Sequence, residues 1–239
     1  MEFFAQRPAA TVLLEACGSA HYWARQIQPF GHTVRLLAPH DVRSYVRRNK
    51  TDRTDAKGLR EAHRNDEIHP VPVKSLAHQA VASLHVLRST WLATRTARLN
   101  TLRGLLREFG VFIPVGSQHV VPRVREQLVE ATAVPALLHA TLTATCEEVD
   151  LLETQMRAGE RQLAGVAAQL PDVALLQTIP GVGLITATAL LALVTDIRRV
   201  PSGRHVASYL GLTPREDSTG PRRRLGAISK RAMSTCGCS

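Results

Sequence analysis

The spacing of apolar positions divides the chain into three parts, residues 1–74, 75–170 and 171–239. The first alternates short apolar runs with amphipathic stretches. Thr11-Val12-Leu13-Leu14 is a strand-length run ending at Glu15. Ser19 can cap a helix through Trp23 and Ile27 to Phe30, where Gly31 stops it. Thr33-Val34-Arg35-Leu36-Leu37 predicts a second strand, ended by Pro39. Thr54 or Asp52 can cap a further helix, Asp55–Arg64. This β-α-β-α order implies parallel strands with helical crossovers. Two strands alone do not make a stable sheet, so part of this domain is expected to be missing or supplied elsewhere.

The middle part is helical. Leu92, Leu99, Leu102, Leu106 and Phe109 recur at helical spacing, and a Gly- and Pro-containing break runs from Gly110 to Pro122. A second helix is predicted from near Pro135, with a stripe of Val149, Leu152, Met156, Leu163, Val166 and Leu170. The first helix carries Arg88, Arg95, Arg98, Arg103 and Arg107; the second carries Glu147, Glu148, Asp150, Glu153 and Glu160. Opposite charges on two heptad-patterned helices imply that they pair, either with each other as a hairpin or across a dimer. In the last part, Ile179-Pro180-Gly181-Val182-Gly183 precedes an apolar helix to about Leu193. A Gly turn there either joins two core helices or offers backbone N–H groups to a phosphate, as helix-hairpin-helix DNA-binding modules do. No apolar run reaches a membrane-spanning length, and no secretion signal opens the chain, so a cytoplasmic protein is expected.

Charge narrows the class of partner. Arg and Lys total 30 against 20 acids, and the excess is +4 in residues 1–74, +1 in 75–170 and +5 in 171–239. Two basic ends around a near-neutral middle suit a polyanion; an inert basic surface is the plain alternative. With aromatics at 4%, phosphate contacts are expected over base stacking. The candidate phosphate contacts are Arg47, Arg48, Lys50, Arg53, Gly181, Gly183, Arg222, Arg223, Arg224, Lys230 and Arg231. Cys17 and Cys146 read as small buried residues, and Cys236 and Cys238 have no second pair spaced for zinc.

Two motifs carry candidate chemistry. Asp52 and Asp55 are three apart, which puts both carboxylates on one helix face. Hard oxygen ligands of this kind suit Mg²⁺, and Glu15 ends a strand where functional residues of open α/β sheets gather. A helix cap with a first-turn acid explains the same pair without a metal. Ser218 lies between acids and a Gly, near three consecutive arginines. It is either a turn residue or a nucleophile whose pentacovalent phosphate the arginines stabilise.

The segments Leu14–Ala24, Asn49–Ala56, Ile179–Gly183, Tyr209–Arg215, Ser218–Gly220 and Leu225–Arg231 resemble, in order, the motifs of DEDD-type insertion-sequence transposases. These are the bridge-RNA-guided recombinases that combine a RuvC-like domain with a serine nucleophile. The resemblance covers nearly the whole chain. It implies α/β plus α architecture. Residues 1–74 would be a partial RNase H-like (RuvC-like) domain, 75–170 a helical coiled-coil linker for dimer contacts, and 171–239 an all-α transposase domain. It also implies Mg²⁺ on Glu15, Asp52 and Asp55, and Ser218 as the nucleophile of a covalent phosphoserine–DNA link. DNA, a structured guide RNA and a homo-oligomer (dimer or tetramer) would be the partners.

Three departures qualify the expectation. No Asp precedes Glu15, where the family carries its first aspartate; Pro221 replaces a second glycine; and Ala232–Ser239 is unlike the family's continuation. A copy truncated at both ends, by frameshift or premature end, and impaired in catalysis is the expectation. Whether this copy is still an enzyme is open from sequence. A non-catalytic nucleic-acid-binding or dimerising remnant is the alternative, and a junction-resolving nuclease using carboxylates alone is a third reading.

Overall fold

The computed structural model describes residues 1–46, 51–130, 133–195 and 202–228. Arg47, Arg48, Lys50, Lys230, Arg231, Cys236 and Cys238 lie outside the described residues. The chain divides into two compact units, one of residues 1–79 and 192–239, the other of residues 80–191. Among the described residues no helix is long and apolar enough to cross a membrane.

In the first unit, β1 (Thr11–Glu15) and β2 (Thr33–Leu37) pair in parallel, with Thr11 opposite Thr33 and Glu15 opposite Leu37. The crossover is α2 (Ala20–Ile27), extended by a 3₁₀ turn to Phe30; α1 (Glu2–Ala5) precedes β1. Gly31 ends the crossover at φ 84°, a left-handed conformation open to Gly without Cβ strain. One face of the strands packs Val34 and Leu36 on Ala20, Ala24 and Ile27 of α2. On the other, Leu37 meets Val42 of α3 (Pro39–Arg43) and Ala62 of α4 (Asp52–Arg64). Val34 and Leu36 are buried on one face, while on the other only Leu37 is buried and Thr33 and Arg35 are exposed.

Two histidines stitch this unit, and the sequence reading assigned neither. His32 is buried; its Nδ1 accepts from Ala10 N–H at 3.2 Å, and its Nε2 donates to Phe4 C=O at 3.0 Å. His21 Nδ1 accepts from Lys74 N–H at 3.3 Å, while Arg25 donates to Lys74 C=O at 2.8 Å. Burial, then Lys74 and Arg25, lower the His21 pKa to about 4.

In the second unit, α5 (Leu76–Glu108), α6 (Val120–Glu130) and α7 (His139–Ala167) share one core. Leu99, Leu102 and Leu106 of α5 meet Val120, Val121 and Val124 of α6 and Leu142, Cys146 and Val149 of α7. The expected break at 110–122 is shorter than predicted. A 3₁₀ turn, Ser117–His119, leads into α6 at Val120, with Pro122 in the first turn, where no N–H is required. Leu92 departs from the predicted stripe and is 41% exposed. Trp91 instead lies against Gly159, where an added Cβ would stand 3.3 Å from its ring.

The charged faces of α5 and α7 meet within the chain. Arg88 donates to Glu160 at 2.8 Å, Arg95 to Glu153 at 2.8 and 2.6 Å, and Arg98 to Glu148 at 2.6 Å. The partners run in opposite directions along the two helices, so the pairing is antiparallel. Cys146 is buried as expected, with its thiol pKa raised by burial; Cys17 is exposed, against expectation, because it follows β1 in a loop.

Helices α8 (Pro171–Gln177) and α9 (Leu184–Val194) follow α7. His85 of α5 contacts the buried Thr188 hydroxyl of α9, Nε2 to Oγ at 3.0 Å. The last segment is not all helix, as was expected. After α10 (Gly203–Tyr209), β3 (Pro214–Glu216) and β4 (Leu225–Ile228) form an antiparallel hairpin. Their residues are all exposed, so they lack the alternation that marks a half-buried strand.

Candidate functional site

Glu15 is half-buried at the carboxyl end of β1, and α4 packs on that strand. Helix α4 starts one turn earlier than predicted. Its cap is Thr51, whose Oγ accepts from Thr54 N–H at 3.2 Å while the Thr54 hydroxyl accepts from Thr51 N–H at 2.9 Å. This reciprocal box satisfies two otherwise unpaired backbone donors. It also frees Asp52 and Asp55 from capping, and both lie in the first turn, where the helix dipole favours anions. As a donor set, three carboxylates suit a hard divalent cation. In their arrangement they do not fit one: among the described residues, no three His, Cys, Asp or Glu side chains are gathered to hold a metal ion.

A basic face shares the same helix. Arg53, Lys57 and Arg60 follow at helical spacing and line, with Thr54 and Ala56, a shallow depression of about 650 Å³. The helical period turns this stripe away from Asp52 and Asp55. Helix α4 therefore carries its cations and its carboxylates on different faces.

The Gly turn has the predicted form. Val182 N–H donates to Ile179 C=O at 3.0 Å, with Pro180 and Gly181 between them and Gly181 at φ 86°. That positive φ at the third position, after Pro, makes a type II turn. Helix α9 begins just after Gly183.

Ser218 stands in the β3–β4 hairpin. Thr219 and Arg222 exchange both backbone hydrogen bonds at 3.2 Å, closing a two-residue turn of Gly220 and Pro221 with Gly220 at φ 58°. The Gly-first turn is a form that suits the twist of a hairpin, and Pro221 adds rigidity. The Ser218 hydroxyl donates to Glu216 Oε1 at 2.7 Å and accepts from Arg224 N–H at 3.2 Å. Arg223 Nε lies 3.4 Å from the same Glu216 oxygen. Arg222, Arg223 and Arg224 are exposed around the turn. The sequence reading missed Glu216. Its signal is the two-residue offset from Ser218, which places both on one side of an extended strand.

Residues 3–111 match the IS110-type DEDD transposase family, and residues 173–235 match the transposase IS116/IS110/IS902 family. A protein named "Probable family 20 transposase" of Pseudomonas aeruginosa is 40% identical over 96% of this chain and 69% of its own length. The transposase for insertion sequence element IS1328 of Yersinia enterocolitica is 34% identical over 96% of this chain and 68% of its own. The transposase for insertion sequence element IS1111A of Coxiella burnetii is 33% identical over 92% of this chain and 61% of its own.

Proposed function

The chain belongs to the IS110/IS116 family of insertion-sequence transposases, and from that premise we propose that it exchanges DNA strands through a covalent phosphoserine at Ser218. The observation carrying this reading is the state of that hydroxyl. It is exposed and fixed by two hydrogen bonds, beside three arginines that would face a phosphate. Attack by Oγ would build negative charge on the phosphoryl oxygens, and guanidinium groups placed there stabilise such charge.

Glu15, Asp52 and Asp55 are the family-derived candidates for Mg²⁺, which when bound would supply charge stabilisation at the phosphate. The described residues do not gather them into one cluster. In the proposed assignment, residues 1–74 belong to an RNase H-like layer, 75–170 to a coiled-coil linker that makes the protein a dimer or tetramer, and 171–239 to the domain carrying the nucleophile. Arg53, Lys57 and Arg60 track the DNA backbone, Gly181 and Gly183 present backbone N–H groups to a phosphate, and a structured RNA guides the choice of site. Incubation with labelled element-end duplex, Mg²⁺ and the element's flanking RNA, followed by SDS electrophoresis, should give a protein–DNA adduct that Ser218→Ala abolishes.

A second reading is favoured by one observation: among the described residues, Glu15, Asp52 and Asp55 are not gathered into a cluster that could hold a metal ion. A non-catalytic nucleic-acid-binding and dimerising protein would bind DNA in a salt-dependent manner and form no adduct.

A further inference from the structure

We propose that Glu216 is the general base of the Ser218 nucleophile, held in place by Arg223. The proposal rests on the phosphoserine reading above, and it adds to that reading the residue that takes the proton. A serine in a turn ordinarily bonds to nearby backbone. Here its hydroxyl donates to a carboxylate oxygen at 2.7 Å, inside the 2.6–3.2 Å reach of a general base. The Arg224 N–H occupies one lone pair of Oγ from the opposite strand at 3.2 Å. With the proton aimed at Glu216 and one lone pair held, one lone pair is left to meet phosphorus.

The position of Glu216 is itself supported. The residue pairs with Leu225 in the hairpin register, and Arg223 Nε lies 3.4 Å from the oxygen that receives the serine proton. The pair is half or more exposed on both sides, so its contribution to folding is small; what it supplies is placement of the carboxylate. Arg223 lies against Glu216, and Arg215 and Asp217 flank Glu216 in the chain. Strand β4 has the sequence Leu-Gly-Ala-Ile and adds no titratable side chain.

The step balances with water as the only further reactant. The Oγ–phosphorus bond forms as the Oγ–H proton passes to Glu216. The bond from phosphorus to one bridging deoxyribose oxygen breaks, and that oxygen takes a proton from water. In the reverse sense, a strand hydroxyl attacks the phosphoserine and releases its proton to water, while Glu216 returns its proton to the departing Oγ. Protein kinases use a carboxylate in the same way toward a substrate hydroxyl.

Two measurements on the full chain separate this proposal from the reading beneath it. The first uses a fluorophosphonate probe, with no DNA or RNA, and maps labelled Ser218 by mass spectrometry. There Oγ displaces fluoride and the proton goes to Glu216. Glu216→Gln, which keeps the side chain's shape, should slow labelling by about 10²-fold or more, and added formate should partly restore labelling in Glu216→Ala. A purely structural Glu216 would give no formate rescue. Equal labelling of wild type and Glu216→Gln, or no labelling of wild-type Ser218, would overturn the proposal. The second is the DNA adduct assay with Ser218→Ala. An adduct that survives Ser218→Ala removes the phosphoserine reading, whatever the probe shows. An adduct lost in Ser218→Ala but formed at the wild-type rate in Glu216→Gln removes the general base alone.

Discussion

Removing the Arg95–Glu153 pair should destabilise the helical unit by about 1–2 kcal/mol through the pair alone. It is the least exposed rung of the α5–α7 ladder, at 17% and 28% side-chain exposure, against 25% and 41% for Arg88–Glu160 and 45% and 38% for Arg98–Glu148. Two charges about 4 Å apart attract by ~4 kcal/mol at an effective dielectric of about 20. Ordering two long side chains and withdrawing them from water offset roughly half of that or more. Exposed pairs reach only ~0.2–1 kcal/mol, so this rung should exceed its two neighbours. The assay is a double-mutant cycle, Arg95→Met, Glu153→Gln and both, read by urea unfolding. One kcal/mol should move Tm by about 2–4 °C in a chain of this size, and the charge swap Arg95→Glu with Glu153→Arg should recover most of the loss. Because both partners lie in one chain, the coupling should not change with protein concentration. A coupling energy below about 0.3 kcal/mol, or one that grows with concentration, would refute the in-chain ladder and favour pairing across a dimer.

The His21 ring, held neutral, should make stability depend on acid. Its pKa is lowered from 6.5 to about 4, so the unfolded chain takes up the proton first. This contribution is complete above pH 6.5, is lost as pH falls towards about 4, and is constant below. At 1.36 kcal/mol per unit the ceiling is about 3 kcal/mol; the ring is only partly buried, and solvent screening reduces this to about 1 kcal/mol. His21→Asn, which keeps an acceptor for Lys74 N–H, should remove that part of the pH dependence in urea titrations, and an unchanged profile would contradict it. Changing Arg53, Lys57 and Arg60 together to Gln should weaken DNA binding and reduce the slope of log K against log salt by about 3; an unaltered slope would take α4 off the DNA path. Gly181→Ala should cost about 1 kcal/mol or more in thermal unfolding, because φ 86° strains any Cβ, whereas a neutral result would show that the turn relaxes.

Most of the βαβ unit was legible because its cues are local. Gly31 takes its left-handed turn, β1 and β2 begin and end within a residue of their apolar runs, and the crossover between them makes the pair parallel. Helix α6 was not legible: Pro122 reads as a breaker in sequence, and only its place in a first turn makes it harmless. The hairpin was hidden for a different reason. Strands of three and four wholly exposed residues leave no hydrophobic period to detect. The charge complementarity of α5 and α7 was visible, but whether it acted within or between chains depends on the packing at Leu99, Leu102 and Val149. At the site, Ser218, Asp52 and Asp55 could be picked out by motif. Glu216 carries only its two-residue offset from Ser218 in the sequence, and its hydrogen bond depends on the hairpin's register.

The most direct test of the central claim is the chemical state of Ser218 after reaction with DNA. The chain is incubated with its element's ends, Mg²⁺ and flanking RNA, then denatured, digested with nuclease and trypsin, and analysed by mass spectrometry. The account predicts a nucleotide remnant on Ser218 in the Glu216–Arg222 peptide, absent from Ser218→Ala. DNA bound in a salt-dependent manner with that peptide unmodified, or a remnant attached to another residue, would contradict it.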